Sequence, residues 1–129
     1  MTEPARTTVV VADDDADIRA LVGIAVGKAN LDLVASAADG DSAWDAIQLH
    51  RPALAVLDVS MPGYSGLDLC RLIRSDGDLE TMTVVLLSAA VDEAAREAGI
   101  AAGATEYLAK PFSPKGLAAR LVEIVAVYR

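Results

Sequence analysis

Short, wholly apolar runs alternate along the chain with longer stretches in which apolar residues recur every third or fourth position. Residues 7–12 (TTVVVA) are β-branched and stop at three aspartates, which predicts a strand buried on both faces. In 16–28, Ile18, Leu21, Val22 and Ala25 fall at i, i+3, i+4 and i+7, the pattern of an amphipathic helix that Asp15 can cap. A short strand over 31–37 and a helix over 39–49 follow, with Gly40 and Asp41 at the helix start and Pro52 beyond its end. Residues 53–57 form an apolar strand ending at Asp58, and 61–66 read as a loop with one proline and two glycines. The remaining pattern predicts a helix over 67–74, a polar loop over 75–80 and a strand over 83–87. An alanine-rich helix over 92–102, a strand over 104–108 broken by Lys110-Pro111, and a final helix over 114–128 complete it.

Strands alternating strictly with helices imply parallel pairing, because parallel neighbours need a crossover. The chain therefore reads as a doubly wound α/β domain with a five-stranded parallel sheet. Residues 1–129 form a single domain and 1–6 an N-terminal tail. Ligands of such folds bind at the carboxyl ends of the strands, near a topological switch point.

Composition narrows the function classes. Eleven basic residues stand against 19 acidic ones, a net charge of −8, which offers no footprint for nucleic acid or for an anionic membrane surface. The longest stretch free of charged residues is residues 81–91, well below the ~18 residues a bilayer span needs. The first residues lack the pattern of a signal peptide, and one cysteine excludes an internal disulfide. A cytoplasmic location is expected. Cys70 and Trp44 read as packing residues, Met61 as a structural loop residue and His50 as a surface helix end.

The strand ends carry the candidate chemistry. The first strand ends at Asp13 and Asp14, the third at Asp58, the fourth at Ser88, and the fifth runs into Lys110. A parallel sheet brings all five to one rim. Three carboxylates there repel one another unless a cation lies among them, and hard oxygen ligands suit Mg²⁺ or Mn²⁺. A lysine and a hydroxyl can hold phosphoryl oxygens, and a carboxylate can itself act as nucleophile. Helix capping is the simpler account of Asp15, but it does not explain why Asp58, Ser88 and Lys110 also end strands.

Four stretches, VVVADDDADIR (9–19), LDVSMPGYSG (57–66), LLSA (86–89) and GATEYLAKPF (103–112), resemble the response-regulator receiver domain, the phospho-acceptor module of two-component signalling. The resemblance extends over nearly the whole chain and implies a flavodoxin-like (βα)5 fold with strand order 2-1-3-4-5. It assigns Asp58 as the phosphorylated aspartate. Asp13, Asp14, Asp58 and the backbone carbonyl of Ser60 become the metal site. Ser88 and Lys110 hold the phosphoryl group, a cis bond joins Lys110 to Pro111, and Tyr107 swings inward as Ser88 moves. The implied donor is a sensor histidine kinase or a histidine phosphotransfer protein. The implied response is a change in the face built from the fourth helix, fifth strand and fifth helix, which controls an output partner or a C-terminal output domain. Such a domain is no enzyme beyond catalysing its own phosphorylation and dephosphorylation.

The chain departs from the family in three places. Ser60 and Ala90, two positions beyond Asp58 and Ser88, carry no group that orients water or pairs with phosphate, and in the family these positions tune phosphoryl lifetime. Gly116 stands where the winged-helix branch usually has a glutamate that pairs with a base, here Arg96. Arg96, Glu106 and Arg120 resemble parts of that branch's charged dimer face, so a homodimer is expected only with one partner missing. The competing class is an aspartate-nucleophile, Mg²⁺-dependent phosphatase, but Ser60 replaces the second aspartate such enzymes carry. Nucleotide-binding glycine loops are absent.

Overall fold

Residues 6–90 and 92–128 are described by a computed structural model. Its elements are β1 (Thr8–Ala12), α1 (Ala16–Lys28), β2 (Asp32–Ala37), α2 (Gly40–His50), β3 (Leu54–Asp58), α3 (Gly66–Ser75), β4 (Thr83–Ser88), α4 (Glu93–Ala102), β5 (Glu106–Ala109) and α5 (Pro114–Tyr128). All strand pairs are parallel, in the order β2-β1-β3-β4-β5. The alternation of runs and periodic stretches thus identifies every element, and the doubly wound sheet is as expected. Of the N-terminal tail, residues 1–5 lie outside the described residues.

Period-two alternation within each strand feeds two cores. Val9 and Val11, Leu54 and Val56, and Val85 and Leu87 face Val22, Val26, Leu117, Leu121 and Ile124 of α1 and α5. Val10 and Ala12, Ala55 and Leu57, and Val84 and Leu86 face Ile47, Leu69, Cys70, Ile73 and Tyr107 on the other side. Truncating one of these, Ile47→Ala for instance, removes a fully buried side chain and costs about 2–5 kcal/mol. β3 and β4 are buried throughout, whereas the edge strand β2 exposes Asp32 and Leu33, so burial on both faces does not extend to the edges.

Caps set the boundaries. Asp15 accepts from the amides of Asp17 and Ile18, starting α1 as expected. Asp39 and Asp92 lie outside the helices expected to begin with them, because each is an N-cap, accepting from Ser42 and Ala95 respectively. Ser65 and Asp68 close a reciprocal capping box on α3. β5 starts later than expected, since the Ala104 amide still closes α4 on the Gly99 carbonyl. It also runs one residue further, with Ala109 paired to Ser88.

Arg74 ties the far ends of four elements together. Its guanidinium donates to the carbonyls of Gly103, Glu80 and Met82 and to Thr105 Oγ1, while Thr105 Oγ1 also accepts from the Val84 amide. This clamp sits at the edge opposite the strand ends that carry the acids.

Candidate functional site

β1 and β3 are neighbours in the sheet and end in register, Ala12 beside Leu57, so the residues that follow leave the same rim. Asp13, Asp14 and Asp58 each bring a carboxylate oxygen within 4.8 Å of the others. Asp13 and Asp58 are buried and Asp14 is exposed. The Asp13 main chain is fixed from both sides: its amide donates to Ala37 O across 3.1 Å, and its carbonyl accepts from Arg19 across 2.9 Å. The carboxylate is oriented by the Asp15 amide, which donates to Oδ1.

Lys110 enters this group from the end of β5. Its Nζ lies 3.0 Å from Asp13 Oδ2 and 3.1 Å from Asp58 Oδ1. The Lys110–Pro111 peptide is cis, as the family resemblance implied. Among the described residues, both polar contacts of the Asp58 carboxylate fall on Oδ1, the second from the Ser60 amide at 3.4 Å. Burial pushes the Asp58 carboxyl above the usual aspartate range, and the Asp13 charge adds to that, against the opposing pull of Lys110. Burial alone would lower the lysine, but hydrogen bonds and charge from Asp13 and Asp58 outweigh it and raise Lys110 above its ordinary value.

The donor set fits a hard divalent cation. Asp13 Oδ2 is fully buried, and its one polar partner among the described residues is the Lys110 ammonium at 3.0 Å. One ammonium leaves part of a buried carboxylate's accepting capacity unmet, and a cation among the acids would meet it. Two further carboxylates of the same cluster supply the all-oxygen environment that Mg²⁺ or Mn²⁺ prefers.

Ser88 and Tyr107 lie beside this centre and meet at one residue. Ser88 Oγ accepts from the Ala90 amide at 3.0 Å, and Tyr107 donates its phenolic O–H to the Ala90 carbonyl at 2.6 Å. Tyr107 is therefore turned inward, 3% exposed. Its ring lies over Gly99, where a Cβ would approach Cδ2 to 2.5 Å. Arg96 covers the ring with its guanidinium 5.6 Å from the centroid and donates to the Tyr107 carbonyl.

Sequence reasoning placed Ala90 only as a small residue near phosphate and Arg96 only as an ion-pair partner. The backbone role of Ala90 leaves no side-chain signature. Gly99 did leave one, a glycine inside a helix, which is unfavourable there unless close packing requires it. On the expected dimer face, Arg120 pairs with Glu106 and Glu123 of its own chain. Cys70 and Trp44 pack into the core, and His50 is exposed at the end of α2, each as expected.

Residues 9–122 match the family described as the response regulator receiver domain. The chain is 40% identical over 114 residues to the transcriptional regulatory protein GltR of Pseudomonas aeruginosa, covering 88% of this chain and 47% of that protein. It is 36% identical over 116 residues to the DNA-binding response regulator MtrA of Mycobacterium tuberculosis, covering 90% and 49%. It thus spans about half the length of these curated relatives. Among solved structures, the chemotaxis response regulator CheY4 of Vibrio cholerae superposes with a TM-score of 0.85 at 27% identity, covering 93% of this chain and 99% of that one. The signal receiver domain of NarL from Mycobacterium tuberculosis gives 0.87 at 29% identity, covering 95% and 98%. With the acids and the lysine gathered at the strand ends of a 2-1-3-4-5 parallel sheet, the chain belongs to the response-regulator receiver domain family.

Proposed function

We propose that Asp58 accepts a phosphoryl group from a phosphohistidine on a sensor histidine kinase or histidine phosphotransfer protein. The observation that carries this is the position of Lys110 Nζ, within 3.1 Å of both Asp13 and Asp58, inside a cluster of three carboxylates. Asp58 Oδ2 is the oxygen that Lys110 and Ser60 leave free among the described residues, and it is the natural nucleophile. It forms the new O–P bond as the P–N bond breaks, and the electron pair returns to the imidazole, which takes up a proton from solvent. Asp13, Asp14, Asp58 and the Ser60 carbonyl would hold a Mg²⁺, which would supply charge neutralisation for the transferring group. Lys110 turns from Asp58 toward the phosphoryl oxygens as that carboxylate becomes esterified.

Ser88 supplies a hydroxyl contact to the phosphoryl group beside the Lys110 ammonium. To reach the phosphoryl group it gives up the Ala90 amide, and Ala90 carries the change to Tyr107 through its carbonyl. The response passes to the face made by α4, β5 and α5, where it controls an output partner or domain and a homodimer is one form the output can take. GltR and MtrA are named as transcriptional and DNA-binding regulators, which supports an output of that kind. Apart from its own phosphorylation and dephosphorylation the domain turns over no substrate, and its location is cytoplasmic.

Incubation with Mg²⁺ and a small phosphodonor tests this. One phosphoryl mass should be gained by the protein, and none with a chelator or in Asp58→Asn. An equal gain in Asp58→Asn contradicts the assignment, and steady phosphomonoester turnover favours the phosphatase alternative.

A further inference from the structure

Two loops, after β1 and after β3, flank the acids, and Lys110 pairs with an acid from each side. The connection from β2 to α2, residues 37–40, joins them through its backbone. At one end, Ala37 O accepts the Asp13 amide at 3.1 Å. At the other, the Gly40 amide donates to Pro62 O at 2.9 Å, in the loop that follows Asp58. Gly40 is buried, and its Cα rests on the Tyr64 peptide so closely that a Cβ would lie 2.5 Å from both Tyr64 N and Tyr64 C and closer still to Tyr64 O. Backbone cannot yield as a flexible side chain can, so only glycine allows this approach.

The loop itself is closed. Its two ends meet where the Gly66 amide donates to Val59 O at 2.9 Å, and a Cβ on Gly66 would stand 2.5 Å from Asp58 O. Its tip bends at Gly63, whose φ is +75°, against the Asp41 carboxylate. With the ends pinned at Asp58 and the tip pinned on Gly40, the path of residue 60 between them is fixed. The Ser60 amide accordingly turns back to Asp58 Oδ1.

We infer that Gly40 is a positioning residue for the acidic site: through residues 37–40 it braces the Asp58 loop against the Asp13 loop and so sets the spacing of the metal ligands. The inference rests on the metal-site reading given above. The brace acts on the cation site and not on the nucleophile itself, because Asp58 is the last residue of β3, paired with Leu87, and is held by the sheet.

Calorimetric titration with Mg²⁺ and urea unfolding without metal test the brace in the parent chain, Gly40→Ala and Gly77→Ala. Gly77 has open space around its Cα and serves as the control. Gly40→Ala should bind Mg²⁺ about tenfold or more weaker, as supporting residues around metal ligands do, while Gly77→Ala binds as the parent. If Gly40→Ala does not fold, Gly63→Asn probes the neighbouring contact of the loop tip with the start of α2, since asparagine tolerates positive φ and its Cβ crowds the exposed Asp41 carboxylate, with the Asp41 amide nitrogen further off at 3.5 Å. It too should weaken Mg²⁺ binding. Parent-like affinity in the folded variant, with only the urea midpoint lowered, overturns the brace. A parent chain that binds no Mg²⁺ overturns the reading of the site, and the brace with it.

Discussion

Tyr107 donates its hydroxyl to the Ala90 carbonyl across 2.6 Å from a ring almost fully withdrawn from solvent. The hydrogen bond, the Gly99 notch and the Arg96 cover act on the same ring, so each can be removed separately. Tyr107→Phe keeps the ring and leaves the carbonyl of the exposed Ala90 to water, at a cost of about 0.5–1.5 kcal/mol in urea unfolding. Gly99→Ala fills the notch and should expel the ring. NMR of the tyrosine ring should then report a solvent-exposed environment, with Ser88 and Ala90 amide shifts moving in step.

Asp58→Asn should stabilise the metal-free protein at neutral pH. Burial raises the Asp58 pKa in the folded state, so the folded state holds the proton more tightly than the unfolded chain. Ionisation therefore costs stability, and the cost is complete above the folded pKa. The advantage of the asparagine should grow as pH rises through the folded Asp58 pKa and vanish as pH falls below the unfolded aspartate value of about 4. Mg²⁺ should raise the midpoint of the parent chain more than that of the variant. Urea midpoints across this pH range, with and without Mg²⁺, check both.

Removing the cation between the two acids should do the reverse. Lys110→Met leaves buried Asp13 and Asp58 facing each other, and losing one partner of such a pair costs about 3 kcal/mol. Because Lys110 is raised above its ordinary value, its contribution is full below the unfolded lysine pKa and fades only as pH rises through the higher folded one. The loss should therefore be constant between roughly pH 7 and 9, and Mg²⁺ should restore part of it.

Cys70 should be inert in the folded protein. It is wholly buried in the core beneath α3, and burial pushes its thiol up to about 11, so at pH 8 the nucleophilic thiolate is scarce and shielded. An aromatic disulfide reagent should label no thiol at pH 8 in native buffer and one in urea.

How far the sequence could be read follows from what each contact is made of. Asp13, Asp14, Asp58 and Lys110 were legible because hydrophobic periodicity ends each strand just before them, and parallel alternation sends those ends to one rim. Tyr107 was legible only through its resemblance to the family. The Ala90 link, the Gly40 contact and the Arg74 clamp were not, since they depend on backbone atoms brought close by tertiary packing. Arg96 illustrates the limit: its charge suggested an ion pair, and the aromatic ring that it covers lies eleven positions away on the next strand. The edge position of β2 followed from the strand order that the resemblance implies, but the exposure of Leu33 did not, because an apolar residue in a strand reads as core.

The central claim is that Asp58 is the residue phosphorylated. An aspartyl phosphate is reduced by borohydride to homoserine, which marks the site covalently. After Mg²⁺-dependent phosphorylation and reduction, peptide mapping should find homoserine at position 58 and at no other aspartate. Homoserine at Asp13 or Asp14, or none despite a gain of phosphoryl mass, would contradict the account.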